Sequence, residues 1–142
     1  EMLDKHIDKL DIENKEKFVF EILESDSIGE YQILDDFISK YRKQGIKIAI
    51  DDFGTGYSNF AHILKIRPDF IKIDGSLIKN ITTDKNSSEM VKSIIDFSKA
   101  LNIKITAEFV HNAEVYKRLI DLKVDEFQGF YLGRPEPRIE WF

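Results

Sequence analysis

The chain has 142 residues, 42% of them apolar, with 21 basic against 26 acidic side chains and a formal net charge of −5. That length supports one globular domain with a real core but not two, and the acidic balance offers no basic face for a nucleic-acid backbone, which excludes nucleic-acid polymers as partners. Cysteine is absent, which removes disulfide scaffolds, thiolate metal sites and cysteine nucleophiles; no window approaches the roughly 18 unbroken apolar residues of a membrane span and none reads as a secretory leader, so a soluble, cytoplasmic chain is expected.

Met2, Leu3, Ile7 and Leu10 are spaced for one face of a helix, and residues 11–17 are polar. Residues 18–23 predict a strand, 24–29 a turn-rich loop, and 30–43 a helix in which Ile33, Leu34, Phe37, Ile38 and Tyr41 repeat at helical spacing, with Gly45 as its stop signal. The apolar, β-branched run 46–51 predicts a buried strand ending in two adjacent acids and a Gly-x-Gly turn. A short helix is expected over 57–66, a strand over 70–74, a polar loop over 82–88, a helix over 88–102, a strand over 104–110, a helix over 113–122 and a short fifth strand over 126–131. Strand followed by helix, four times over, predicts a parallel sheet flanked by crossover helices. Five strands are too few to close a (βα)8 barrel, which takes about 250 residues, so the sheet is either open or part of a barrel.

Each predicted strand carries a charged or amide residue near its C-terminal end: Glu21, Asp51 with Asp52, Lys72 with Asp74, Glu108, and Gln128. In a parallel α/β architecture those ends share one rim. Lys72 and Asp74 are two apart and fall on one face of their strand, Ile71 and Ile73 on the other, while Asp52 is expected already in the turn. Taken singly, Glu21 or Glu108 reads as a helix cap or a solvated loop acid, the Asp51-Asp52 pair as a plain turn, and Gln128 as an amide satisfying backbone groups. Taken together, four or five carboxylates and one lysine without any thiolate form a hard oxygen-ligand set for Mg²⁺ or Mn²⁺. Such sets hold two ions roughly 3.5–4 Å apart in phosphodiester hydrolysis, which makes cleavage of a phosphate ester the expected chemistry.

Asp51-Asp-Phe-Gly-Thr-Gly-Tyr-Ser58, Ile71-Lys-Ile-Asp74, Ala107-Glu-Phe-Val110 and Phe127-Gln-Gly-Phe-Tyr131 through Pro135, in this order and spacing, resemble the EAL family of cyclic-di-GMP phosphodiesterases from about Phe18 to Pro135. The resemblance implies an α/β fold, here a partial TIM-like (βα) barrel of about five parallel strands with flanking helices. It implies cleavage of cyclic di-GMP to linear pGpG with two Mg²⁺ or Mn²⁺ ions. By position it makes Glu21 and Asp51 metal ligands, with Asp51 shared between the ions, and Asp52 and Asp74 ligands or close partners of the second ion. It makes Lys72 the residue that positions or activates the attacking water, Glu108 an acidic ligand across the site, and Gln128 a holder of the metal-bound water network. The loop 53–66 resembles the segment that couples metal binding to dimerisation in this family.

Two departures qualify the resemblance. The Glu-Ala-Leu tripeptide and the asparagine on the next strand belong upstream of everything in this chain, so residues 1–142 are expected to be the C-terminal two-thirds or so of a truncated domain, weak or inactive in isolation. His111 stands where the family usually has the last acid of a Glu-x-x-Glu pair, and is expected to be exposed or one layer behind the ligands, with metal ligation the minority reading. Absent strands would leave strand 18–23 as an open edge, favouring self-association or a place within a longer signalling protein with GGDEF or sensor domains. The competing functional class is a non-catalytic EAL-like module that senses cyclic di-GMP or dimerises. A sugar-phosphate barrel enzyme fits worst, because no phosphate-binding glycine loop is present late in the chain, and the basic run Lys40, Arg42, Lys43 and Lys47 reads as a solvated helix end.

Overall fold

A computed structural model describes residues 2–7, 9, 15, 17–23, 31–55 and 60–136. The turn expected over 24–29 and the 56–58 part of the Gly-x-Gly turn lie outside the described residues. The architecture is α/β, five parallel strands with flanking helices. The chain divides into two compact units, Glu1–Lys72 and Ile73–Phe142.

In the first unit the order is α1 (Met2–Ile7), β1 (Val19–Leu23), α2 (Tyr31–Arg42), β2 (Lys47–Phe53), α3 (Phe60–Ile66) and β3 (Phe70–Ile73), whose last residue opens the second unit. β1 and β2 pair in parallel, Val19 opposite Lys47 and Leu23 opposite Asp51, and β3 follows β2 in the sheet. Ile48, Ala49 and Ile50 are all buried, as expected of a strand covered on both faces, where the apolar pattern runs on instead of alternating. Gly45 ends α2 with φ 88°, a conformation that costs glycine little. Tyr41 packs edge-on against Phe20 and Phe37, with centroids 5.0 and 4.7 Å apart, while Phe20 and Phe37 meet tilted at 5.4 Å, and Tyr41 and Ile46 join Ile7 in a buried cluster. The Lys40 ammonium binds Asp4 Oδ1 and Tyr41 Oη donates to the same oxygen at 2.8 Å, which together hold the Asp4 carboxyl well below the usual carboxylate range.

The second unit continues with α4 (Gly75–Lys79), α5 (Lys85–Ala100), β4 (Lys104–Ala107), α6 (Ala113–Asp121) and β5 (Glu126–Phe127). β4 pairs in parallel with β5, Thr106 opposite Glu126 and Ala107 opposite Phe127. Its core comprises Ile73, Ile78, Val91, Ile94, Ile95, Ile105, Val115 and Leu119, each at most 1% exposed. Full burial of each such side chain stabilises the fold by roughly 1.5–3 kcal/mol.

β4 ends at Ala107 rather than at residue 110, short of Phe109 with its φ of 56°, and four further differences from the expectations above each have a local reason. β2 runs on through Asp52 to Phe53, so Asp52 lies in the strand rather than the turn, at φ 54°; aspartate is among the few residues that enter this left-handed region without great cost. α5 begins at Lys85, three residues earlier than expected, because Asp84 Oδ2 accepts hydrogen bonds from Ser87 N and Ser87 Oγ, both at 2.7 Å. The short α4, for which no helix was expected, forms because Asp74 Oδ1 accepts from Ser76 N at 2.9 Å and starts a turn too short to leave a periodic signature. β5 is two residues long instead of six, because the chain bends at Gly129 around Val110: Val110 N donates to Gln128 O at 3.0 Å and Tyr131 N to Val110 O at 3.0 Å.

Candidate active site

In the first unit the apolar run of β2 carries Asp51 and Asp52 to a half-buried position. On β3, Lys72 sits between Ile71 and Ile73, both fully buried, and its own side chain is only 10% exposed. An ammonium group so enclosed requires negative partners. Lys72 Nζ lies 2.9 Å from Glu21 Oε1 on β1 and 2.9 Å from Asp51 Oδ1 on β2. Asp51 is 19% exposed and Glu21 50%, so the tighter electrostatic partner is Asp51. The buried Asp51 Oδ1 meets that ammonium outside good hydrogen-bond geometry. A buried carboxylate oxygen in that state, among oxygen donors alone, fits a hard divalent cation.

In the second unit, Asp74 follows β3 with one oxygen engaged in capping α4. Glu108 follows β4, half-buried, its N–H donating to Ile73 O at 3.3 Å. Gln128 follows β5; its N–H donates to Ala107 O at 2.9 Å while its side chain is exposed. These three border a cavity of about 760 Å³ that also takes in Phe109, His111, Phe127, Phe130, Leu132 and Arg134. His111 is exposed, with Nδ1 3.1 Å from Phe109 O.

Three cavity residues, Phe109, Gly75 and Arg134, were not among the residues expected at the site. Phe109 adopts φ 56°, a left-handed conformation that is a genuine outlier for a bulky residue and that stores strain beside Glu108. Gly75 accommodates it: a Cβ there would lie 2.7 Å from the Phe109 Cβ. Arg134 places its guanidinium 5.2 Å above the Phe130 ring, at cation–π distance. The density of aromatic residues over 127–131 was the only cue.

The architecture and the acid-lysine cluster set up comparison with known proteins, and the EAL domain family model matches residues 1–135. This chain belongs to the EAL domain family. A similar relative, the cyclic di-GMP phosphodiesterase PdeA of Borreliella burgdorferi, is 39% identical over 117 residues, which cover 82% of the EAL chain and 18% of that protein. The structure of an EAL domain protein from Listeria monocytogenes superposes with a TM-score of 0.83 at 30% identity, covering 96% of this chain and 53% of the other. The manganese and cyclic-di-GMP complex of Klebsiella pneumoniae BlrP1 gives a TM-score of 0.84 at 28% identity over 94% of this chain and 34% of that one. The EAL chain thus spans about a fifth of its curated relative's length and a third to a half of these solved structures. Among the described residues, no helix is long and apolar enough to cross a membrane.

Proposed function

We propose that the chain is the catalytic-rim part of a cyclic-di-GMP phosphodiesterase that hydrolyses one phosphodiester bond to give pGpG. The observation that carries this reading is the Lys72 ammonium held 2.9 Å from both Glu21 and Asp51, in a family whose relatives bear that enzyme name. Glu21, Asp51, Asp52, Asp74 and Glu108 are the proposed ligands of Mg²⁺ or Mn²⁺, and Lys72, Glu108 and Gln128 the proposed catalytic groups. A pair of such ions supplies Lewis acidity to the phosphodiester and to the attacking water. Lys72 limits the repulsion between Glu21 and Asp51 and presents N–H donors that orient the water and the anionic phosphate. Glu108 and the Gln128 amide order the solvent at the cavity's edge. Phe130 and Arg134 offer a flat apolar face and a positive charge suited to a purine base and its phosphate.

The isolated chain is proposed to turn over weakly or not at all, since the Glu-Ala-Leu tripeptide and the asparagine that follows it in the family are not among its residues. A second reading, a non-catalytic module that senses cyclic di-GMP or dimerises, draws on His111 at a family acid position, exposed and turned to a backbone carbonyl. Self-association and membership of a longer cytoplasmic signalling protein are proposed alongside either reading. The test incubates the chain, and any longer polypeptide that carries it, with cyclic di-GMP and Mn²⁺, and follows pGpG by chromatography. Manganese-dependent pGpG from the longer form is the expected result. Nucleotide binding without cleavage at any Mg²⁺ or Mn²⁺ concentration overturns the catalytic reading in favour of the second.

A further inference from the structure

Two aspartates outside the ligand set occupy the same place in two separate strand pairs. Asp69, just before β3, donates its backbone N–H to Ile48 O at 2.8 Å and accepts the Ile48 N–H on Oδ2 at 2.9 Å. Asp125, just before β5, donates its N–H to Ile105 O at 3.2 Å and accepts the Ile105 N–H on Oδ2 at 2.9 Å. In a parallel ladder the slanted backbone bonds do not let two facing residues exchange both bonds. Here a carboxylate supplies the second bond and closes a two-point clamp on one residue of the neighbouring strand.

We propose that Asp69 and Asp125 are positioning residues whose clamps set the register of the strand pairs that carry Asp51 with Lys72 and Glu108 with Gln128. The inference rests on the catalytic reading for why those pairs matter, but not for the register itself. Three residues beyond Ile48 is Asp51, and three beyond Asp69 is Lys72; three beyond Ile105 is Glu108, and three beyond Asp125 is Gln128. The offset is the same in all four strands, a rise of roughly 10 Å from clamp to site residue. A slip of one residue moves every side chain to the opposite face, and at β3 it would bring Ile71 or Ile73 to the place where Lys72 meets Asp51. The Asp51–Lys72 ion pair and the Gln128 N–H to Ala107 O bond are the products of the two registers. Arg42 braces the first clamp, its guanidinium 3.9 Å from Asp69 Oδ2 and donating to Arg67 O at 2.8 Å.

The test is amide hydrogen exchange by NMR on the whole protein, comparing wild type with Asp69→Ala, Asp69→Asn, Asp125→Ala and Asp125→Asn. Asparagine keeps an acceptor oxygen and alanine removes it. The alanine variants are expected to exchange at the clamped amide, Ile48 or Ile105, at least tenfold faster. The amide nearer the site end, Ile71 or Gln128, should accelerate by a similar factor, while Val91 and Ile94 in the middle of α5 stay within twofold. The asparagine variants should remain within twofold of wild type throughout. If the site-end amides keep wild-type protection, or if every core amide accelerates together, the clamps do not set the register and the proposal fails. Should an alanine variant not fold, the serine variant, whose hydroxyl falls short of the neighbouring N–H, carries the same comparison. Mn²⁺ affinity, measured in parallel, is expected to fall at least threefold in the alanine variants. Absence of Mn²⁺ binding by the wild type would overturn the catalytic reading while leaving the exchange comparison to decide the clamps.

Discussion

Replacing Lys72 by methionine isolates the electrostatic centre of the first unit, because methionine matches the length of the aliphatic stem and removes only the charge. At 2.9 Å the gross attraction between Lys72 and Asp51 is about 6 kcal/mol at an effective dielectric constant near 20. Burying the ammonium offsets most of that, so the pair itself adds little net stability. Removing one partner is different, since it leaves the other carboxylate enclosed without a counter-charge, a change that costs roughly 3–5 kcal/mol. Glu21 is half exposed and its share is screened by solvent, and Asp51 retains some access to water, which sets the expectation near the lower limit, about 3 kcal/mol. For a chain of this size that is a fall in Tm of about 10 °C. Calorimetry of both proteins without added metal at pH 7 measures it. Mn²⁺ should raise the variant's Tm by at least as much as the wild type's. If Lys72→Met melts within 2 °C of wild type at pH 7, the enclosed ion pair does not govern this part of the fold and the reasoning is refuted.

Asn112 caps α6 by accepting the Val115 N–H at 2.9 Å, so Asn112→Ala should cost about 1 kcal/mol in urea unfolding while Asn112→Asp retains the wild-type midpoint. The Ser87 hydroxyl and amide that bind Asp84 hold its carboxyl below the usual range. A depressed folded-state value means the cap's contribution is complete above the unfolded carboxylate range and is lost as pH falls through the folded value. The difference in urea midpoint between wild type and Asp84→Ala should therefore be present at pH 6 and shrink towards pH 2. At Gly129 a Cβ would meet the backbone of Val110, 2.2 Å from its carbonyl oxygen and 2.3 Å from its nitrogen, and Gly129→Ala should cost at least about 2 kcal/mol. At Gly133 nothing lies within 4 Å of such a Cβ, so Gly133→Ala should unfold within about 0.5 kcal/mol of wild type, and equal effects at the two glycines would contradict the close approach at Gly129.

What could be read from the sequence follows from which forces act locally along the chain. β2 and β3 were legible because their isoleucine-rich runs are bounded by glycine, proline or paired acids, and α2 and α6 because one apolar face repeats at helical spacing. Such patterns record burial, and burial dominates folding. The ends of elements were less legible because they depend on single hydrogen bonds: Asp84 starting α5 early, Asp74 starting α4, and Gly129 ending β5 against Val110. Within the first unit, the grouping of Glu21, Asp51 and Lys72 was inferred from the topology of parallel strands, and the ion pairs follow that inference. Asp69 and Asp125 escaped notice because each looks like an ordinary turn acid until the partner strand is known. Their bonds join residues 20 and 21 positions apart, beyond any window in which a propensity or a period is counted. The same limit applies to Phe109, whose left-handed backbone is accommodated by a glycine, Gly75, 34 residues upstream. A chain whose charged groups stand where strands end therefore discloses those groups readily and conceals the residues that bond one strand to the next, because a strand announces its own composition while register is a property of two strands at once.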